Sequence, residues 1–241
     1  MGRLIIPIIL LFFMACEKAD NRICWKISGK TTVISHSFNQ SINKLKVMDD
    51  INVTLIHDSL NMCEITGPSN LVNLISLTEN DDEITFKNKN KCDFLRANKE
   101  INVSFHYSEL KIIQLNGYGL LSNNKEITHP IEIKAENVLS NIDLLLNNDT
   151  TNILISRGSS EVILKGNCTN LYVYNSGLSP VKTFSLSTLN THINSNTISK
   201  TEINVTGKLN AEIRNSGNIY YSGNPTSIKS TISGTGQIIA I

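Results

Sequence analysis

The sequence predicts an all-β fold: a parallel β-helix, or solenoid, with coils of about twenty residues and a more irregular β-rich N-terminal part. Three observations carry this. Leu115, Ala135, Ile155, Val173, Ile193, Ile213 and Ile232 recur at steps of 20, 20, 18, 20, 20 and 19 residues, and a fixed period of that size marks stacked repeats. Between these anchors lie short runs that alternate apolar and polar residues, such as 152–156, 161–165 and 171–174, and no run of ten or more keeps a helical period. The corners carry Asn175-Ser176-Gly177, Asn215-Ser216-Gly217 and Ser233-Gly234-Thr235-Gly236, which supply the backbone conformations tight turns need. An antiparallel sandwich would also place turns every eight to twelve residues, but it does not require anchors to recur at one distance.

Taken in order, the chain opens on a targeting segment. Arg3 precedes a nearly continuous apolar run over residues 4–15, too short to span a bilayer as a helix. The run ends Phe13-Met14-Ala15-Cys16 and turns polar at once. A small residue before a cysteine resembles a bacterial lipoprotein signal, so residues 1–15 are expected to be removed and Cys16 to be lipidated. Residues 16–27 then form a tether to the membrane, and residues 28–241 form the body.

Within the body, residues 28–112 read as the irregular part and 113–241 as the regular repeats. Residues 42–48 and 51–57 alternate on either side of Asp49-Asp50, a hairpin-like or meander signal. The run from Cys63 ends in a turn at Gly67-Pro68, and Cys63 shares a face with Ile65, as a buried thiol would. Residues 71–77 fit either one helical turn or a strand. Residues 83–87 and 101–107 are strands, with a polar loop between them.

Composition narrows the function. The chain has 241 residues, 31 of them asparagine, and losing Arg3 leaves 21 basic and 21 acidic residues, so no electrostatic footprint for nucleic acid remains. The five histidines, His36, His57, His106, His129 and His192, stand singly in sequence and predict no metal site. No cofactor motif and no nucleophile elbow is present. A glycoside-cleaving β-helix needs two acids across one bond, yet from residue 150 onward the only acids are Glu161, Glu202 and Glu212. The enzyme alternative, a polysaccharide-active β-helix with Glu161 or Glu202 as its acid, is therefore the weaker reading. Tyr172, Tyr174, Tyr220 and Tyr221 are candidate surface aromatics for stacking on a sugar or protein ligand. Ordinary alternation would instead put one tyrosine of each pair inward and the other outward.

The segment Gly217-Asn218-Ile219-Tyr220-Tyr221-Ser222-Gly223-Asn224-Pro225 and the following Ile232-Ser233-Gly234-Thr235-Gly236 resemble the head GIN domain family of auto-transporter adhesins, common as lipoproteins in Bacteroidetes. The resemblance reaches back through residues 131–138, 90–96 and 42–47 to the Cys24 segment. It implies a β-helical, repeat-built fold and an adhesive role without catalytic residues. It departs at Asn137-Val138 and Asn196-Thr197, where glycine-rich corners are usual. The four cysteines after Cys16 allow three full pairings; the resemblance, with the oxidising compartment, favours Cys24 with Cys92. The expected protein is a lipid-anchored, non-enzymatic outer-membrane or surface protein that binds a glycan or protein ligand on its β-helix face. A periplasmic scaffold or sensor is the other alternative.

Overall fold

The computed structural model describes residues 29–90 and 100–241. The fold is the all-β parallel solenoid the period predicts, with about six turns of roughly twenty residues in the regular part. The strands are β1 (Thr31–Ser37), β2 (Lys44–Asp50), β3 (Asn52–His57), β4 (Met62–Pro68), β5 (Ile75–Asn80), β6 (Glu83–Asn88), β7 (Asn102–Tyr107), β8 (Ile112–Tyr118), β9 (Leu120–Asn123) and β10 (Ile131–Val138). They continue as β11 (Asn141–Gly158), β12 (Val162–Asn175), β13 (Val181–Ser195), β14 (Thr201–Ile213), β15 (Ile219–Ser222), β16 (Ser227–Ile232) and β17 (Ile238–Ala240). One helical turn, α1 (Ser69–Val72), follows Pro68. Residues 71–77 thus divide between that turn and β5.

Two long faces result. The first stacks β6, β2, β8, β10 and the second halves of β11 to β14, ending at β16. The second stacks β7, β3, β9 and the first halves of β11 to β14, ending at β15 and β17. All of these contacts are parallel. Antiparallel pairing is confined to the N-terminal end, where β5 lies on β6 and the β1–β4 pair lies on β7.

The alternation at 42–57 is real, but the hairpin reading is not. β2 and β3 do not pair with each other; they are successive sides of one coil, turned at Asp49, whose φ is 67°. That coil lies between β6–β7 and β8–β9. Stacked register therefore begins at Lys44, within the part expected to be irregular, and order along the axis departs from order along the chain.

The anchor residues also need a correction. Leu115, Ala135 and Ile155 stand in one column, and Asn175, Ser195, Ile213 and Ile232 continue it. Val173 and Ile193 belong to the neighbouring column with Ile113, Ile133, Ile153 and Ala211. Asn175 and Ser195 are wholly buried but polar, so a reading that follows apolar residues steps sideways at them. The short step falls between Ser195 and Ile213, after an irregularity between Thr183 and Asn190. Six anchors are buried; Ile232 is 47% exposed, because it lies on the outermost described coil.

Inside, parallel stacking puts like on like. Leu45, Ile113, Ile133, Ile153, Val173 and Ile193 form one continuous apolar column. Each such side chain contributes roughly 1.5–3 kcal/mol by leaving water. Buried polar residues gather at the bends, where Asn148 and Thr151 bond each other and Thr188 Oγ1 lies 2.7 Å from Thr191 Oγ1. Cys168, in register with Asn148 and Thr188, is a free, buried thiol, as is Cys63. Burial pushes Cys63 up to about 12. Cys16, Cys24 and Cys92, with the lipidation and disulfide expected of them, lie outside the described residues.

Candidate functional site

On the outward side of the first face, residues two apart along a strand point the same way, and coils stack about 4.8 Å apart. Tyr172 and Tyr174 flank the buried Val173 and are 46% and 40% exposed. Both therefore face out, in place of the expected one in and one out. Tyr220 and Tyr221 are split in that way: Tyr221 packs against the core, while the Tyr220 hydroxyl lies 3.3 Å from Asn218 Nδ2. They belong to the second face and do not join the other pair.

Two outward ladders run through the exposed tyrosines. Glu132, Asn152, Tyr172, His192 and Asn210 form one; Lys134, Leu154, Tyr174, Asn194 and Glu212 form the other. The Tyr172 and His192 rings lie 6.2 Å apart. Asn194 Nδ2 donates to Glu212 Oε2 at 2.8 Å, and Arg214 Nε donates to Glu212 Oε1 at 2.7 Å. The arginine bond holds Glu212 below the usual carboxylate range. Asn194 Oδ1 is buried with no hydrogen-bond partner, a cost the fold bears unless a donor arrives. Of these, Glu132, Asn152, Tyr172, Tyr174, His192 and Asn194 line a groove of about 390 Å³.

A second hollow of about 610 Å³ adjoins it and shares Glu132 and Asn152 in its lining. It is built where His57, at the end of β3, meets Tyr107 of β7 and His129 from the segment before β10. The three rings lie 5.3–5.9 Å apart. Burial lowers the His129 pKa, helped by the charge of His57, and its Nε2 has no partner. His57 and His129 are far apart in sequence, and no spacing could have joined them. Nearby, His106 Nδ1 lies 2.7 Å from Asp58 Oδ2. Among the described residues, no three His, Cys, Asp or Glu side chains gather as a metal site requires.

The acids proposed for the enzyme alternative are already engaged. Glu161 pairs with Lys182, and Glu202 lies 2.5 Å from Lys200. The two hollows adjoin at Glu132 and Asn152 and between them present aromatic, amide and imidazole groups across several coils. That arrangement can grip an extended ligand by stacking and hydrogen bonds.

Such a molecule is a repeat-built β-solenoid with exposed polar and aromatic ladders along one face. The chain belongs to the family described as "Putative auto-transporter adhesin, head GIN domain", which it matches over residues 41–225. Among solved structures, a putative adhesin from Bacteroides fragilis shares the fold with a TM-score of 0.80 at 22% identity, over 89% of this chain and 98% of the other. A putative adhesin from Parabacteroides merdae follows at a TM-score of 0.63 and 18% identity, over 89% and 98%. A putative lipid binding protein from Parabacteroides distasonis has a TM-score of 0.62 at 17% identity, over 88% and 97%. At these identities the likeness is one of fold. No curated protein matches this chain.

Proposed function

We propose that this protein is a non-enzymatic envelope adhesin, tethered through a lipid on Cys16, that retains an extended glycan in these adjoining hollows. The observation that carries this is that the two hollows adjoin, sharing Glu132 and Asn152, and that the exposed Tyr172 and Tyr174 line the smaller one. Sugars offer apolar ring faces for aromatics and hydroxyls for polar edges such as those of Glu132, Asn152 and His192, which line the groove. Family membership supports adhesion, and the engagement of Glu161 and Glu202 with lysines supports retention over cleavage. Among the described residues no helix is long and apolar enough to cross a membrane; in this reading a lipid supplies the attachment.

The test is a glycan array probed with the whole chain, followed by affinity measurement on the glycans retained. Tyr172→Ala and Tyr174→Ala are each expected to weaken binding at least about tenfold, equivalent to about 1.4 kcal/mol, with thermal stability unchanged. Turnover of a retained glycan, or full affinity in both variants, overturns the reading. Fatty-acid labelling that is equal in the wild type and in Cys16→Ser removes the anchor. Protease shaving of whole cells distinguishes a surface adhesin, which is released, from a periplasmic scaffold, which is not.

A further inference from the structure

The two ends of the described solenoid differ. At the N-terminal end, antiparallel β5 and the β1–β4 pair lie over the parallel stack. At the other end every residue of β16 is exposed, including Ile228 at 43% and Ile232 at 47%. These two isoleucines continue the inward columns of the buried Leu209 and Ile213. An open edge of this kind is a template for further strand pairing.

We propose that this edge is the interface of a two-fold symmetric dimer, in which β16 pairs antiparallel with β16 of a second copy about an axis through Ser230. The backbone fixes the register. Ser233 N–H donates to Ile213 C=O at 2.9 Å, and backbone groups in a strand alternate sides, so 229 and 231 also face β14. Ile228, Ser230 and Ile232 turn their N–H and C=O groups to the open edge. In an antiparallel ladder, residues that face the partner exchange both bonds with their opposite number. Centring the axis on Ser230 pairs it with itself and sets each Ile228 against the partner copy's Ile232. All three open-edge residues of each copy are then paired, and apolar side chains meet across the axis to close both cores. Shifting the axis to Lys229 leaves Ile232 unpaired and sets Ile228 against serine. The pairing is self-complementary, as a two-fold interface requires. Only one charged side chain, Lys229, lies in the strand, and it points outward, away from the cores.

The register is read by cross-linking the whole chain. A residue on the axis faces its own copy at a Cα separation of about 5.5 Å, within disulfide range. Under mild oxidation Ser230→Cys is expected to give a covalent dimer. Ser227→Cys, equally exposed but off the axis, and the wild type are expected to stay monomeric on a denaturing gel. Sedimentation of the whole chain should give twice the monomer mass. Ser230→Pro, which removes an N–H directed at the open edge, should halve that mass while leaving the circular dichroism spectrum intact. A monomer at all concentrations, a dimer unaffected by Ser230→Pro, or equal cross-linking at 227 and 230 overturns the proposal.

Discussion

Asn175 stands directly beside Ile155 in the parallel ladder, so an amide continues a column of apolar side chains. Its Nδ2 donates to Ser179 C=O at 2.8 Å, and its Oδ1 accepts from Gly177 N–H at 3.1 Å. The side chain closes the following turn from inside. Asn175→Ile would restore the apolar column yet leave two backbone groups without partners. A loss of about 2 kcal/mol or more is expected in denaturant unfolding, because buried groups left unpaired cost about 1–3 kcal/mol each.

The corner at Arg157-Gly158 offers an opposed pair of substitutions. Gly158 has φ 108°, and a Cβ there would lie 2.1 Å from Val138 C=O. Gly158→Ala is expected to lower the melting temperature sharply, since backbone would have to move. Arg157 holds φ 57°, where a side chain costs about 1–2 kcal/mol. Arg157→Gly is therefore expected to raise stability by up to about 1 kcal/mol, the remainder being lost to unfolded-chain entropy.

Ser195 and Thr201 are wholly buried, and their hydroxyls have no hydrogen-bond partner. Ser195→Ala and Thr201→Val remove an unpaired polar atom with little change of shape. Each is expected to be neutral or to stabilise by about 1 kcal/mol in the same unfolding assay. A loss above that size would mean the hydroxyls have partners.

Acid should destabilise the protein in two separable windows. His129 has a folded pKa below its ordinary 6.5, chiefly through burial and then through His57, with the Leu110 backbone and Glu109 opposing. The unfolded chain then binds a proton that the folded chain refuses, so stability falls as pH drops below about 6.5. His129→Gln should flatten that part of a melting-temperature profile. Asp58 contributes lower down. Burial opposes its charge, but His106 and the Leu60 amide hold it below its ordinary 3.8. Its contribution is lost only as pH falls below about 4.

Much of this architecture was legible. From Leu115 onward, isoleucine, leucine and valine recur because each coil reuses the same inward positions, and the period follows. What misled was chemistry that breaks the pattern without breaking the fold. Asn175 and Ser195 occupy core positions, and Asp49, Asn137 and Arg157 take left-handed corners where glycine is the usual signal. At Asn137 a non-glycine residue takes a positive φ, 53°, of the kind a glycine corner would supply. Alternation at residues 44–57 identified strands but could not name their partners, which lie in register at residues 83–88, 102–107 and 112–123. For Tyr172 and Tyr174 the signal was present: a spacing of two around an inward Val173 commits both to the same side. The meeting of His57 with His129 depends on stacking alone and had no local sign.

The placement of β2 and β3 between later segments shapes how the molecule comes together. Delivered from its N-terminus, the chain makes this coil before either of its axial neighbours exists. It must wait for β6 and β7 on one flank and for β8 and β9 on the other. Several loops must therefore close before this coil is covered on both flanks. β2, β3 and β6 to β9 are expected to form as one cooperative unit. From β10 onward each coil can settle on a finished surface, so growth is expected to be zipper-like, with fraying in a single copy running back from the β16–β17 end.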